Sequence, residues 1–321
     1  MTEAMVFGSR LDGTGGGEPL ATLPEPGDAD HRVYWVHLDF LNPGAQTWLR
    51  SVGIEPLAAE ALLDDDSSRP RALELESGLL VNLRGVNLNK DAQAEDMVGM
   101  RIWLDNARII TTRRRQVRSP RQLYDELEHG QGPENPGDFL VEIACRLNSH
   151  IEGVIDSLEA DIAAAEQRYG AADNPGYRGE FGALRRKSAR LRRYLAPQRD
   201  TLERLSRIDS GLLSLAQRNA LREEADALMR FLEDIDLSRE RATVAQEELL
   251  NSLAQKQNER MYVLSLVAAV FLPLSFLTGL LGMNVAGMPG MENRAAFSIA
   301  LLMMLGCGAG IWLFFRWKKW L

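Results

Sequence analysis

The sequence predicts an α+β soluble body that is joined by one very long helix to a two-helix membrane hairpin. Strand-like apolar runs are confined to about the first 118 residues, a nearly unbroken helical pattern follows them, and two long uncharged stretches lie beyond position 260. With 321 residues the chain is too long for one ordinary domain and has the length of about two.

Charge separates the two parts of the chain. Of the 37 basic and 45 acidic residues, residues 261–321 contain four basic and one acidic, a net charge of +3. Residues 1–260 therefore contain 33 basic and 44 acidic residues, a net charge of −11. An acidic body attached to a nearly uncharged tail excludes a simple soluble enzyme and a generally basic nucleic-acid binder, so no nucleic acid is expected as a partner.

Motifs of catalysis and cofactor binding are missing from the sequence. Cys145, Cys307 and the four histidines have no metal-ligand spacing, and no nucleophile–base pair, phosphate-binding loop or dinucleotide fingerprint is visible. The glycine- and proline-rich residues 1–30 are predicted to be a flexible tail, and they lack the pattern of a cleaved leader. We expect neither an enzyme nor a bound cofactor.

An α/β domain is predicted over residues 31–118. Apolar runs at 33–40, 79–88 and 97–112 have strand character, and residues 55–63 show helical periodicity.

Residues 119–209 are predicted to form a helical hairpin region. A short helix lies near 121–129, and two long helices over 138–169 and 178–208 are separated by the breaker at 174–176, Asn-Pro-Gly. The first long helix is acidic and the second is basic, which predicts an antiparallel pair with surface ion pairs that each contribute little.

A stalk helix is predicted over residues 210–260, and it continues directly into a membrane span. Between 218 and 283 the only proline is Pro273, and no glycine occurs before Gly279, so one helix of ~100 Å is expected. Apolar residues recur in a heptad with breaks at Arg239 and Gln246; they are Leu221, Ala225, Leu228, Leu232, Ile235, Ala242, Leu249 and Leu253. Such a rod would carry movement of the body to the membrane.

Two membrane spans are predicted over residues 261–283 and 295–315, neither of which contains Asp, Glu, Lys or Arg. The first would extend ~35 Å, enough for a hydrocarbon core of about 30 Å. Residues 284–294 between them suit a tight loop. Basic residues flank both spans on one side, at Lys256, Arg260, Arg316, Lys318 and Lys319. The positive-inside rule therefore places both termini, including the basic end 316–321, in the cytoplasm of an inner-membrane protein, with the loop outside.

One face of the first span has the composition of a pore lining. Two helices are too few to enclose a polar path, so a channel would have to be an oligomer. Small, hydroxyl-bearing and apolar residues recur at spacings of three and four, at Asn258, Met261, Leu264 or Ser265, Ala268, Leu272, Ser275, Gly279 and Gly282. Such a face suits close helix packing and hydrophobic gating, although a plain packing seam would have the same period.

Short motifs at these positions resemble a known family. Gly282-Met283-Asn284 ends the first of two C-terminal spans, Asn258-Glu259-Arg260-Met261 opens it, and 271–275 read Phe-Leu-Pro-Leu-Ser. With the Pro-Gln-Arg-Asp sequence at 197–200, this pattern is similar to the CorA superfamily of divalent-cation transporters, whose signature is G-M-N. The resemblance covers about residues 33–321 and implies a homopentameric funnel in which five first spans line one axial pore.

The loop after this motif separates branches of the superfamily. Gly290 follows Met288-Pro289, and Val285 follows Asn284, where the magnesium branch has an acidic residue and an aromatic residue respectively. This is similar to the ZntB zinc-transporter branch and implies zinc as the transported ion. A magnesium, cobalt or nickel channel of the same architecture is the alternative, and a non-conducting membrane-anchored coiled-coil scaffold is the alternative of another class.

The resemblance also implies functional residues. A selectivity filter is expected at Gly282, Met283 and Asn284, where a ring of Asn284 carboxamides would hold a hydrated divalent ion. The implied pore-lining residues are Asn258, Met261, Leu264, Ala268, Leu272 and Ser275. The spans contain no Asp, Glu, His, Lys or Arg, so cation attraction or proton coupling would depend on Glu247 and Glu248 near the stalk end or on Glu292 in the loop.

Overall fold

A mixed sheet organises the N-terminal part of the protein. The computed structural model describes residues 4–27, 30–64, 69–171, 177–283 and 294–318. The chain divides into a first unit, Met1–Gln246, and a second unit, Glu247–Leu321. Within the described residues the strands are β1 (Met5–Leu11), β2 (Gly17–Pro19), β3 (Tyr34–Asp39), β4 (Arg71–Glu74), β5 (Leu79–Gly85), β6 (Val98–Leu104) and β7 (Arg108–Arg113).

The strand order is β2-β1-β3-β7-β6-β5-β4, and every pair is antiparallel except β3 with β7. Alternation along β3 sends Val36 and Leu38 to one core and Trp35 to the other. The Trp35 ring lies 4.8 Å from that of Phe139. The sheet is therefore apolar on both faces, and helices cover each face.

Seven helices are described: α1 (Pro43–Ser51), α2 (Pro56–Leu63), α3 (Arg118–Glu128), α4 (Pro136–Ala171), α5 (Tyr177–Leu205), α6 (Leu215–Leu281) and α7 (Ala296–Trp317). The short α1 and α2 pack on one face of the sheet, and α3, α4, α5 and the first part of α6 form the core on the other. Pro43 begins α1, and the Asn42 side chain accepts a hydrogen bond from the Gly44 N–H at 2.8 Å.

The expectation of a flexible tail over residues 1–30 is wrong for the described residues 4–27. Strand β1 pairs with both β2 and β3, and the Trp48 indole N–H donates to the Pro24 carbonyl at 2.7 Å. The glycines between β1 and β2 form a hairpin turn, because the Asp12 carboxylate accepts from the N–H groups of Thr14 and Gly16 at 2.7 and 2.9 Å. These hydrogen bonds lower the pKa of Asp12. Composition alone did not reveal this turn, since the same residues are typical of disorder.

The long helical hairpin is present as α4 and α5. Lys187 pairs with Asp161 at 3.1 Å across it, as the opposite charges predict. Other bases of α5 pair elsewhere: Arg192 contacts Asp236 of α6 at 2.8 Å. The basic residues of α5 therefore pair with acids of both α4 and α6.

The continuous helix predicted from the scarcity of proline and glycine is present as the 67-residue α6. Its heptad residues from Leu221 to Ala242 are buried in the core that α4 and α5 complete. The heptad thus serves packing within one chain rather than a coiled coil between chains. The Asn148 side chain, which donates to the Glu224 carboxylate at 2.7 Å, fastens α6 to α4.

Candidate ion pathway

The second unit contains the last part of α6 together with α7. Both helices are long and apolar enough to cross a membrane, and no residue of their apolar windows is buried within the chain. At the end of α7, the Arg316 guanidinium lies 5.2 Å from the Trp312 ring and the Lys318 ammonium lies 5.3 Å from the Trp317 ring. Cations and indoles grouped at a helix end are typical of a membrane–water interface.

Partial burial marks one face of each span. Within the α6 span the half-buried residues of this face are Leu266, Ala269, Val270, Pro273, Leu274 and Leu277, and a further half-buried residue, Ala268, lies on the opposite side; on α7 they are Ala296, Ala300, Met304, Cys307, Gly308 and Ile311. Both sets recur at intervals of mainly three and four residues, the spacing of one helix face. This is the pattern expected when two helices of one chain pack side by side.

The implied pore-lining residues lie on the other side of α6. With a rotation of 100° per residue, their mean direction around the helix axis lies roughly 150° from that of the half-buried face. Met261, Leu264 and Leu272 are 55%, 63% and 69% exposed, Asn258 and Ser275 are also exposed, and Ala268 is half-buried. The face that bears the implied pore-lining residues is therefore largely uncovered by the rest of the chain.

Polar side chains line α6 where this face begins. Asn251, Gln255, Asn258, Glu259 and Tyr262 line a shallow groove along one side of α6, and the Gln255 amide donates to the Glu259 carboxylate at 3.2 Å. Glu247 and Glu248 are exposed about two to three turns before Asn258. The carboxylates thus lie before the uncharged span and not within it.

The end of α6 is shaped by Gly282. The Gly282 N–H donates to the Thr278 carbonyl at 2.9 Å, and the Thr278 hydroxyl donates to the Ser275 carbonyl at 3.0 Å. A Cβ atom at position 282 would lie 3.0 Å from the Thr278 oxygen, so glycine permits this tight end. Sequence reasoning did not single out Thr278. Met283 is 46% exposed, and Asn284 and Glu292 lie outside the described residues.

The described residues include no group of three or more His, Cys, Asp or Glu side chains that could hold a metal ion.

Comparisons with known proteins agree with this architecture. The family model described as "CorA-like Mg2+ transporter protein" matches residues 30–319. The zinc transport protein ZntB of Yersinia enterocolitica is 34% identical over 316 residues, which cover 98% of this chain and 96% of that protein. The divalent cation transporter CmaX of Pseudomonas aeruginosa is 37% identical over 333 aligned residues, which cover 99% and 97% respectively.

A solved structure of full-length CmaX shares the fold, with a TM-score of 0.86 and 35% identity, covering 100% of this chain and 99% of that one. The predicted α+β body, long helix and two-helix membrane hairpin are confirmed, as is the expectation that the chain is not an enzyme. Because the family model spans nearly the whole chain and relatives above 30% identity cover almost all of it, the chain belongs to the CorA family of divalent-cation transporters.

Proposed function

We propose that this protein transports zinc across the inner membrane, through an axial pore that five copies of the chain enclose. The main support for this proposal is the uncovered, uncharged face of α6. It has the motif residues of the family, it lies opposite the half-buried face, and it requires neighbouring chains to complete a path. Several relatives at 33–35% identity bear the name zinc transport protein, and the residues after Asn284 support the same ion.

The proposed pore would bind the ion weakly and together with its water shell. A ring of five Asn284 carboxamides would hydrogen-bond the water shell of the ion, whereas a ring of carboxylates would bind the ion tightly and release it slowly. Met261, Leu264 and Leu272 would form apolar rings that close the path by excluding water when they approach one another. Asn258 and Ser275 would supply polar contacts between these rings.

Orientation and driving force follow from the flanking charges. With both termini in the cytoplasm, the loop at 284–294 would be the outer mouth. An inside-negative potential favours entry of a divalent ion by ~2.3 kcal/mol per charge for each 100 mV, so uptake is the expected direction. If protons are coupled to zinc, Glu247, Glu248 or Glu292 would carry them, because the spans contain no Asp, Glu, His, Lys or Arg.

Zinc flux into proteoliposomes tests the proposal. Purified protein is reconstituted with an internal zinc indicator, and external zinc is added under an inside-negative potential, with and without excess magnesium. Zinc transport predicts an influx that a tenfold excess of magnesium does not suppress. Suppression by magnesium, with influx of magnesium itself, would support the magnesium-type alternative.

Asn284→Ala is the matched filter variant, and Thr278→Ser is its control because it retains the hydroxyl at the helix end. Transport predicts that Asn284→Ala loses flux or selectivity while Thr278→Ser keeps both. A wild-type protein without flux of either metal, in folded oligomers, would support the non-conducting scaffold.

Proton coupling is tested separately: an imposed pH gradient should change the zinc influx of the wild type and not that of the Glu247→Gln/Glu248→Gln double variant.

A further inference from the structure

An arginine-lined cavity lies in the first unit, between the end of the sheet and α5. Its volume of about 320 Å³ is that of a small-ligand pocket. Six arginines line it: Arg84, Arg101, Arg114, Arg115, Arg190 and Arg193. Among the described residues two carboxylates, Glu95 and Asp96, share the lining, so the formal charge of the described lining is +4 in a chain whose net charge is −8.

Strand register brings the first arginines together. Asn82 of β5 pairs with Arg101 of β6, and Arg84 pairs with Gly99, so these four residues share one face of the sheet. Arg114 and Arg115 directly follow β7, which pairs with β6. Helix α5 is fastened beside them, because the Gln198 side-chain carbonyl accepts from the Arg84 backbone N–H at 2.7 Å.

The guanidinium groups are held in place before any ligand arrives. Arg84 is 8% exposed, lies 4.3 Å from the Tyr194 ring and donates to the Met97 carbonyl at 2.8 Å. Arg101 is 5% exposed and lies 5.0 Å from the Phe40 ring. Both carboxylates of the lining contact Arg190, Glu95 at 3.7 Å and Asp96 at 3.4 Å. Aromatic rings therefore hold the Arg84 and Arg101 guanidinium groups, and the two acids of the lining hold that of Arg190.

Gly99 leaves room in front of these charges. A Cβ atom built at this position meets no atom within 4 Å, although Gly99 lies in a strand between the buried residues Val98 and Met100. Its φ does not require glycine. A side chain at position 99 would therefore extend into open space beside the cavity lining without a clash at its Cβ atom.

We propose that this cavity binds a water-soluble phosphorylated small molecule through its phosphate groups. The planar guanidinium fork matches phosphate oxygens in a bidentate manner, and charge-assisted hydrogen bonds of this kind are roughly twice as strong as neutral ones. A lining charge of +4 suits the three to four negative charges of a di- or triphosphate. The site is independent of the ion pathway, so it stands whether zinc or another cation is transported.

Equilibrium dialysis of the full-length protein in detergent tests this site. The probes are inorganic triphosphate and ATP, in 150 mM salt and with a chelator present, so that no divalent metal mediates binding. We expect saturable binding of one molecule per chain and a steep loss of affinity with salt. Arg193→Gln is expected to weaken binding about tenfold to a hundredfold, because it removes one charge-assisted contact.

Two further variants separate pocket occupancy from general charge. Arg192→Gln removes the neighbouring charge of α5, which pairs with Asp236 outside the cavity, and should leave the dissociation constant unchanged. Gly99→Val keeps every charge, places a branched side chain in the lining of the cavity and should weaken binding. If Arg193→Gln does not fold, Arg193→Lys keeps the charge and loses the fork, and it should still weaken binding at least several-fold.

Four results would overturn the proposal. The first three are the absence of saturable triphosphate or ATP binding, equal binding by Gly99→Val and the wild type, and chloride or sulfate competing as strongly as triphosphate. The third of these would identify a non-selective anion site. Binding of ATP without binding of triphosphate would contradict recognition through the phosphates and would overturn it as well.

Discussion

Asp105 has more structural partners than its position in a turn suggests. Its carboxylate accepts from the Trp103 indole and from the backbone N–H groups of Ala107 and Arg108, each at 2.9 Å. It also pairs with the Arg108 guanidinium at 2.7 Å and is itself buried. This carboxylate therefore closes the β6–β7 turn and also satisfies a buried indole.

Asp105→Ala is expected to destabilise the first unit by about 2–4 kcal/mol, because it leaves a buried indole N–H without its acceptor and removes the ion pair of a half-buried guanidinium, which keeps only the carbonyls of Val52 and Gly53. Thermal or urea unfolding followed by tryptophan fluorescence measures the loss. The matched control is Asp125→Ala, which removes an exposed pair with Arg121 at 2.9 Å and should cost under about 1 kcal/mol. Equal losses for the two variants would contradict this account.

His37 predicts a pH dependence of stability. The ring is fully buried and stacks 4.7 Å from Phe7, and burial together with the charge of Arg113 lowers its pKa from 6.5 to about 3. The folded protein keeps His37 neutral, whereas the unfolded chain binds a proton below pH 6.5. Stability should therefore fall as the pH decreases from 6.5 toward 3, by about 1.4 kcal/mol per pH unit from this residue.

Unfolding free energies at pH 7.5 and pH 5.5 measure this effect. His37→Gln should have the smaller decrease, since glutamine does not titrate, whatever its cost at neutral pH. His129→Gln changes an exposed histidine and should keep the wild-type pH dependence. A wild-type decrease that survives in His37→Gln would assign the pH dependence to other groups.

The environments of single residues could not be predicted from the sequence where they depend on long-range contacts. Asp105, His37 and the cavity arginines acquire their environments from strand register and from helices up to about 100 positions away. Arg101 in the sequence is one polar residue in an apolar run, and only pairing with Asn82 shows what it faces. A long-range juxtaposition of this kind leaves no local pattern.

The secondary-structure elements could be predicted wherever they depend on residues that are close together in the sequence. The length of α6 follows from missing glycine and proline, and the break between α4 and α5 follows from Asn-Pro-Gly. The run at 97–112, for which the sequence predicts strand character, contains the two strands β6 and β7 with a turn at Asp105 between them. Helix α1 was missed although Asn42-Pro43 is a cap followed by a proline at the first helical position.

The exposed face of α6 predicts an asymmetry between substitutions on the same helix. Leu272, 69% exposed, lies on the proposed pore face, and Val267, 46% exposed, lies roughly 140° away from it. Leu272→Ser should hydrate an apolar ring and raise resting zinc leak at least several-fold. Val267→Ser, the matched polar change, should leave the leak within about twofold. Equal effects would indicate that this face only packs against other helices.

At the scale of the whole molecule, the proposed pore exists only in the assembly. Each chain contributes one uncovered face of α6 and leaves the rest of the path to its neighbours. The particle mass in detergent should therefore be five times the chain mass of 35.8 kDa, after correction for bound detergent. Native mass spectrometry or light scattering measures this value, and a monomer or dimer with full zinc flux would contradict the shared pore.

Mixed assemblies test whether one path is shared. If five Asn284 side chains form a single ring and one alanine is enough to disable it, an equal mixture of wild-type and Asn284→Ala chains should retain about 3% of the wild-type flux. If each chain conducts by itself, the same mixture retains about half. Co-expression with two affinity tags gives defined mixtures, and zinc influx is then measured against subunit ratio. A linear decrease would exclude the shared ring, whereas a steep curve would place the ion path on the axis that five copies of α6 surround.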